Sequence, residues 1–304
     1  MQKRLIAYAI LAAAAAQAGI IQDVRSAIST GNFALGESLV ESYRKQHGAT
    51  PEMAEAVSWL GRGALDRREY DRAERNAERA YSLGQELLKK QPLDSDGHLA
   101  LAVGAAIEVR AQVMTARGER DQAVAYLRKE LAAFKGTSIR TRIQKNINLL
   151  SLEGKPAPAL QVADALGVKA PTLTALRGKP VLLFFWAHWC GDCKAELPVL
   201  ARLKSEYGPR LRMEAPTQLY GYVARGEEAL PPAERKYIGE VWGRYYASLA
   251  DVPVPIGSDN FRNYGASTTP TLVLIDSRGV VRLYHPGNLS YEELTQAVAQ
   301  VIVR

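Results

Sequence analysis

The sequence predicts an all-α region of helical hairpins followed by an α/β domain. Three observations carry this. From about Asp23 to Leu152 apolar residues recur at three and four positions, in a stretch rich in Ala, Leu, Arg and Glu that holds no proline between Pro51 and Pro92; that is helix periodicity. Glu153-Gly154-Lys155-Pro156-Ala157-Pro158 then breaks the pattern with a glycine and two prolines. Beyond it, Val181-Leu182-Leu183-Phe184-Phe185-Trp186 is a continuous apolar run, typical of a strand covered on both faces. Helical spacing follows, with Leu197, Leu200 and Leu203 on one face. A chain of 304 residues fits two domains at about 150 residues each.

Composition narrows the function classes. Hydrophobic residues make up 47% and charged residues 23%. That balance excludes wholesale disorder, a collagen-like repeat and a multi-span membrane protein. Two cysteines exclude a disulfide scaffold. The net charge of +7, from 39 Lys+Arg against 32 Asp+Glu, is spread along the chain. Arg67, Arg68, Arg72, Arg75 and Arg79 alternate with Asp66, Glu69, Asp71, Glu74 and Glu78. Such alternation reads as solvated helix faces laced with ion pairs, so no nucleic-acid partner is expected.

Residues 1–18 read as an export signal. Lys3-Arg4 precedes an apolar run from Leu5 to Ala16, closed by Ala16-Gln17-Ala18, which supplies small residues at both positions of a cleavage site. The run is shorter than the roughly 20 apolar residues that span a bilayer. An uncleaved anchor extending through Ile20 and Ile21 is the alternative. No cysteine lies nearby for lipoprotein processing. The mature chain is expected to begin near Gly19, in the periplasm, where disulfides persist.

Residues 19–152 carry an internal repeat. Gly31-Asn32-Phe33, Arg68-Glu69-Tyr70 and Gly118-Glu119-Arg120 each close one helical stretch and open the next, and small residues Gly36, Ala73 and Ala123 follow at matching positions. The offsets of 37 and 50 residues lie near the tetratricopeptide period of about 34. The second is stretched, and an insertion is expected around Gln85 to Leu101. The middle unit, with Leu60-Gly61, Tyr70-Asp71, Ala73 and Ala80, resembles a tetratricopeptide repeat position by position. The resemblance implies a concave surface for protein partners; a dimerisation face, a spacer and irregular hairpins are the other readings.

The chemistry lies in Ala187-His188-Trp189-Cys190-Gly191-Asp192-Cys193-Lys194. A Cys-x-x-Cys at a strand-to-helix junction places its first sulfur at the helix N-terminus. Unpaired N–H groups and the macrodipole there favour a thiolate. Two intervening residues let the second thiol fold back within bonding distance, so the pair can pass between dithiol and disulfide.

Phe185-Trp186-Ala187-x-Trp189-Cys190-Gly191-x-Cys193-Lys194 resembles the active site of the thioredoxin superfamily, a central mixed sheet flanked by helices. Pro198 matches the proline that kinks the active-site helix of that family. Thr269-Pro270 before Thr271-Leu272-Val273-Leu274-Ile275-Asp276 resembles its cis-proline and following strand, with Gly279 in the hairpin turn before Val280-Val281-Arg282-Leu283. The signal segment, Gly178-Lys179-Pro180 and Glu196 narrow the likeness to the extracytoplasmic TlpA/ResA-like branch. It covers residues 153–304, about half the chain.

Departures from the pattern matter. Position 184, a buried acid in cytoplasmic thioredoxins, is Phe, so the resemblance gives the acid–base role to Glu196. The dipeptide between the cysteines is Gly-Asp. Eighty residues separate Cys190 from Pro270, more than a minimal thioredoxin fold needs, and the excess is expected at about 220–251 with an added amphipathic helix over Pro232 to Ala247. A single Cys-x-x-Cys is half a zinc site, and no second pair exists. His188 with the two cysteines could hold Cu(I), but His188 reads as an exposed neighbour of the site. His285 and Asp276 read as turn residues. No metal and no cofactor are expected.

These residues point to an exported thiol–disulfide oxidoreductase. Cys190 is the nucleophile, Cys193 the resolving thiol and Glu196 the proton carrier. Trp189, Thr269 and Pro270 would contact substrate, and His188 and Asp192 would tune the potential. The resemblance implies thiol or disulfide client proteins and a membrane reductant of the DsbD type. The alternative is a protein-binding helical scaffold with a secondary redox role.

Overall fold

The computed structural model describes residues 19–302. They fall into two compact units, one ending at Val109 and the other beginning at Arg110. The expected signal, residues 1–18, lies outside the described residues.

The first unit is built of helical pairs: α1 (Ile20–Ser29), α2 (Phe33–His47), α3 (Pro51–Asp66), α4 (Tyr70–Leu88) and the first half of α5 (Gly97–Ala116). Helix starts carry caps that satisfy free N–H groups: Asn32 Oδ1 accepts from Leu35 N at 3.0 Å, and Thr50 Oγ1 from Met53 N at 3.2 Å with Pro51 in the first turn. The repeated triplets expected between helices are the turns. Each holds one left-handed residue, Gly31 at φ 78°, Arg68 at 60° and Gly118 at 85°. Glycine adopts this conformation freely; Arg68 takes it against a cost of roughly 1–2 kcal/mol. Gly61 lets α3 and α4 approach, because a Cβ there would stand 3.3 Å from Ala77 N.

The stretched second offset has two sources: the connection between α4 and α5, which includes a 3-10 turn at Leu93–Ser95, is longer than the Gly48–Thr50 link between α2 and α3, and α4 and α5 have 19 and 20 residues against 15 and 16 in α2 and α3. Among the described residues, only α5 is long and apolar enough to cross a membrane. Its Leu99, Val103, Ala106 and Ile107 are buried, as in a core helix.

The second unit continues with α6 (Arg120–Ala133), α7 (Arg140–Ser151), β1 (Ala165–Leu166), β2 (Val181–Phe185), α8 (Gly191–Ala195), α9 (Leu197–Tyr207), β3 (Arg212–Glu214), α10 (Pro231–Tyr245), β4 (Val254–Pro255), α11 (Ser258–Tyr264), β5 (Thr271–Ile275), β6 (Val281–Pro286) and α12 (Tyr291–Val301). The main sheet has the order β3-β2-β5-β6, with β2 parallel to β3 and antiparallel to β5. Every residue of β2 and β5 is buried, as strands covered on both faces require. Leu182, Phe184, Leu272 and Leu274 meet α9 and α12 through Leu200, Leu203, Leu294 and Val298. Alternate residues Leu183, Phe185, Val273 and Ile275 meet Phe261 and Tyr264 of α11 on the other face. This is the expected thioredoxin-like architecture.

The expected boundary at 152/153 separates helix from sheet, but packing divides the chain earlier, inside α5. Helix α7 docks on α11: Asn148 Nδ2 donates to Tyr264 O at 2.8 Å. Gly265, at φ 62°, sits so close to α7 that a Cβ would stand 2.4 Å from Lys145 N. The proline-rich segment is pinned rather than free, with Gly154 N donating to Val281 O at 2.8 Å and Val281 N to Lys155 O at 2.9 Å. The expected insertion likewise joins the core. On α10, Ile238, Val241 and Trp242 are buried with Tyr246 just beyond it, and Trp242 packs 4.9 Å from Trp186.

Candidate active site

The register of β2 on β5 assembles the site. Phe185 at the end of β2 pairs with Thr271 at the start of β5, which brings the turn after β2 beside Thr269-Pro270. The Thr269–Pro270 bond is cis, and the Thr269 carbonyl oxygen lies 3.4 Å from Cys190 Sγ. Cys190 caps α8, its sulfur accepting from Cys193 N at 3.0 Å. The two cysteines form a disulfide with Cα atoms 5.3 Å apart. Helix α8 ends at Glu196, and α9 resumes with Pro198 in its first turn. Proline lacks the N–H that a continuous helix would need there.

Exposure separates the roles. Cys193 is fully buried and Cys190 is 3% exposed, whereas Trp189 beside it is 50% exposed. Trp186 and Phe185 are core, as expected; Trp186 Nε1 donates to Ala215 O at 3.0 Å. Asp192 is exposed in the first turn of α8.

Glu196 is buried, and burial pushes its pKa above the ordinary carboxylate value. Asn288, in the loop between β6 and α12, opposes that rise by donating from Nδ2 to Glu196 Oε2 at 2.8 Å. The same nitrogen lies 2.8 Å from Asp192 O. One side chain from a remote loop thus ties both ends of the redox helix.

His188 departs from expectation. It is 2% exposed, not an exposed neighbour. The insertion covers it: its ring meets Tyr220, Tyr222 and Tyr237 edge-on at 5.6, 5.4 and 5.4 Å. Its Nε2 lies 3.3 Å from Glu234 Oε1 on α10. Desolvation holds the imidazole pKa below 6.5, against the pull of Glu234. Among the described residues no cluster of three His, Cys, Asp or Glu side chains is arranged to hold a metal.

Sequence reading missed Asn288, Glu234 and the three tyrosines, which reach the site from loops and from the insertion. It also underrated Asp276. This buried carboxylate accepts from Arg278 N and Val280 N, each at 2.9 Å, and from Arg282 Nε at 2.8 Å, so it organises the β5–β6 hairpin. The Asp-x-x-Gly spelling of the turn was the available signal.

The AhpC/TSA family matches residues 154–284. The chain is 29% identical over 147 residues to the thioredoxin-like protein YneN of Bacillus subtilis, covering 47% of this chain and 77% of that protein. It is 30% identical over 156 residues to the thiol:disulfide interchange protein DsbE of Xylella fastidiosa, covering 50% and 70%. It is 27% identical over 148 residues to the thiol-disulfide oxidoreductase ResA of Bacillus thuringiensis, covering 49% and 78%. These matches fall on the half of the chain that carries the disulfide at the head of α8 and the cis-proline facing it, and by them the chain belongs to the thioredoxin-like family of thiol:disulfide interchange proteins.

Proposed function

We propose that the protein is an exported thiol–disulfide oxidoreductase that reduces disulfides in client proteins. The observation that carries this is the Cys190–Cys193 disulfide at the N-terminus of α8, with Cys193 buried and the Thr269 carbonyl 3.4 Å from the outer sulfur. In the reduced form the Cys190 thiolate attacks one sulfur of a client disulfide. A mixed disulfide forms, and the other client sulfur leaves as a thiolate that takes a proton from solvent. Cys193 then loses its proton to Glu196 and attacks Cys190 Sγ, expelling the second client thiolate. The client gains two electrons and the pair returns to the disulfide. Trp189 and the backbone of Thr269-Pro270 form the rim against which the client strand lies.

A dithiol donor must restore the reduced pair, and a membrane reductant of the DsbD type fits that requirement. Residues 1–18 would direct export, with the mature chain beginning near Gly19 and working in the periplasm. The helical hairpins of the first unit would dock partners, as repeat arrays do.

Insulin reduction by dithiothreitol, with and without the purified chain, tests the activity, and Cys190→Ser should abolish the acceleration. Trapping should be asymmetric: Cys193→Ser accumulates mixed disulfides with clients and Cys190→Ser does not. Equal trapping by the two variants, or no acceleration by folded wild type, overturns the reading.

A further inference from the structure

The insertion between β3 and β4 reaches the redox turn through one buried polar contact, between Glu234 and His188. Glu234 on α10 is 1% exposed. Its Oε1 accepts from Tyr220 N at 2.5 Å and its Oε2 from Gly221 N at 2.8 Å. The same carboxylate stands 3.3 Å from Nε2 of His188. His188 lies inside the turn closed by the Cys190 N–H on Ala187 O at 3.1 Å. Tyr220, held by Glu234, also packs 5.5 Å from Trp189, the residue next to the nucleophile. A single side chain therefore joins α10, the 220–221 loop and the turn that presents Cys190.

We propose that Glu234 is a positioning residue of the redox centre: through His188 it fixes the turn from Ala187 to Cys190, and its buried charge biases the pair toward the disulfide. This rests on the oxidoreductase reading above. A buried polar pair linking elements this far apart in sequence costs desolvation, and packing alone could have closed the insertion with apolar residues. What the contact adds is an acidic side chain against His188, two residues before the sulfur that becomes anionic on reduction. A like charge disfavours a thiolate, and a less stable thiolate makes the disulfide the preferred state, the opposite of the strong oxidant DsbA with its depressed thiolate pKa. The groups around the imidazole are few. Tyr220 and Tyr222 face it from the loop and Tyr237 and Glu234 from α10, while the charge of Lys194 on α8 opposes the carboxylate.

The test is the equilibrium between the chain and glutathione, in which the disulfide plus two thiols gives the dithiol plus glutathione disulfide. Glu234→Gln keeps the volume and removes the charge. It should shift the constant about tenfold toward the dithiol, about 30 mV for this two-electron couple. The absorbance of the Cys190 thiolate should appear at lower pH. A merely structural Glu234 would destabilise oxidised and reduced chains equally and leave the constant unmoved, so thermal unfolding of both redox forms completes the cycle. If Glu234→Gln fails to fold, His188→Leu, which leaves Glu234 on its two loop N–H groups, should move the constant at least about threefold. An unchanged constant in a folded variant overturns the proposal while wild type still reduces insulin; wild type without that activity overturns the reading beneath it.

Discussion

Glu214 offers the sharpest quantitative prediction. It ends β3, opposite Leu183 of the parallel strand β2, and is 1% exposed with no hydrogen-bond partner on either carboxylate oxygen. Parallel neighbours point to the same side, so Glu214 faces the layer of Leu183, Phe185 and Tyr264. With nothing to stabilise its anion, burial pushes its pKa from 4.5 to about 8. Between those values the folded chain holds a proton that the unfolded chain has released. Stability therefore falls as pH rises across that window. About 3.5 pH units at about 1.4 kcal/mol each give roughly 5 kcal/mol over the whole range. Of this, about 2.5 kcal/mol is lost between pH 5 and pH 7, because the unfolded carboxyl is still partly protonated at the lower pH. Glu214→Gln preserves volume but does not titrate. Urea unfolding of the full chain at pH 5, 6 and 7, followed by near-ultraviolet circular dichroism, should show the variant gaining about 2.5 kcal/mol on wild type across that range. The buried amide remains unpaired, so the slope carries the prediction and not the absolute stability. Parallel profiles for wild type and variant would refute it.

The remaining predictions concern the redox centre and the helical unit. Glu196→Gln should lengthen the life of the mixed disulfide by about 10²-fold, the usual worth of a positioned proton carrier, and stopped-flow with a Cys-containing peptide measures it; a lifetime within twofold of wild type would remove Glu196 from the proton path. The wild-type potential should lie nearer about −270 mV, as in thioredoxin, than the −120 mV of DsbA, and Asp192→His should raise it; a wild-type value above about −180 mV, the protein disulfide isomerase mark, would favour an oxidase. His98, held by Glu55 through a 2.7 Å hydrogen bond, titrates above 6.5. Its contribution to stability is complete below pH 6.5 and is lost as pH rises through the higher folded value. NMR titration of Glu55→Gln should return His98 toward 6.5, and an unmoved midpoint would assign the shift to another group.

The sequence made legible what is contiguous. Val181 to Lys194 contains a whole strand, turn and helix start, so both the chemistry and its local geometry could be read from one segment. Thr269-Pro270 came from its resemblance to the thioredoxin superfamily's cis-proline and following strand, and the turn triplets at 31–33, 68–70 and 118–120 from their repetition. Side chains that reach the site from afar left no such trace. Asn288 is 92 residues from Glu196 in sequence and bonds it through Nδ2, yet it sits in a short polar loop with no periodicity to single it out. Glu234 occupies a helix whose existence was foreseen, but periodicity cannot separate one buried glutamate among charged neighbours from a solvated face. The exposure assigned to His188 failed for the same reason, since its cover comes from Tyr220, Tyr222 and Tyr237. The prolines after 152 mark where helices give way to strands but do not end the packing: the segment continues in hydrogen bonds to Val281 and Gly279.

Three of the buried glutamates in the second unit show how donor supply decides what a carboxyl can do. Glu234 accepts two backbone N–H groups and faces the His188 imidazole, so it ties elements together. Glu196 is opposed by the Asn288 side-chain amide and the Leu289 backbone N–H, and burial still raises its pKa. A raised carboxyl lies nearer the range that proton carriage needs, which suits the role proposed for it. Glu214 meets no donor and rises to about 8. It faces the layer of Phe185 and Tyr264 rather than the Cys190 face, and its proton is coupled to folding, not to turnover. The same residue type at the same burial therefore takes different roles, from tying a loop to a helix to loading stability with pH, and at Glu196 the role we propose is proton carriage. Exchanging these roles requires moving N–H donors, not changing the acid: an asparagine or backbone turn offered to Glu214 should lower its pKa and flatten the pH profile, while removal of the Asn288 amide by Asn288→Leu should raise the pKa of Glu196 further.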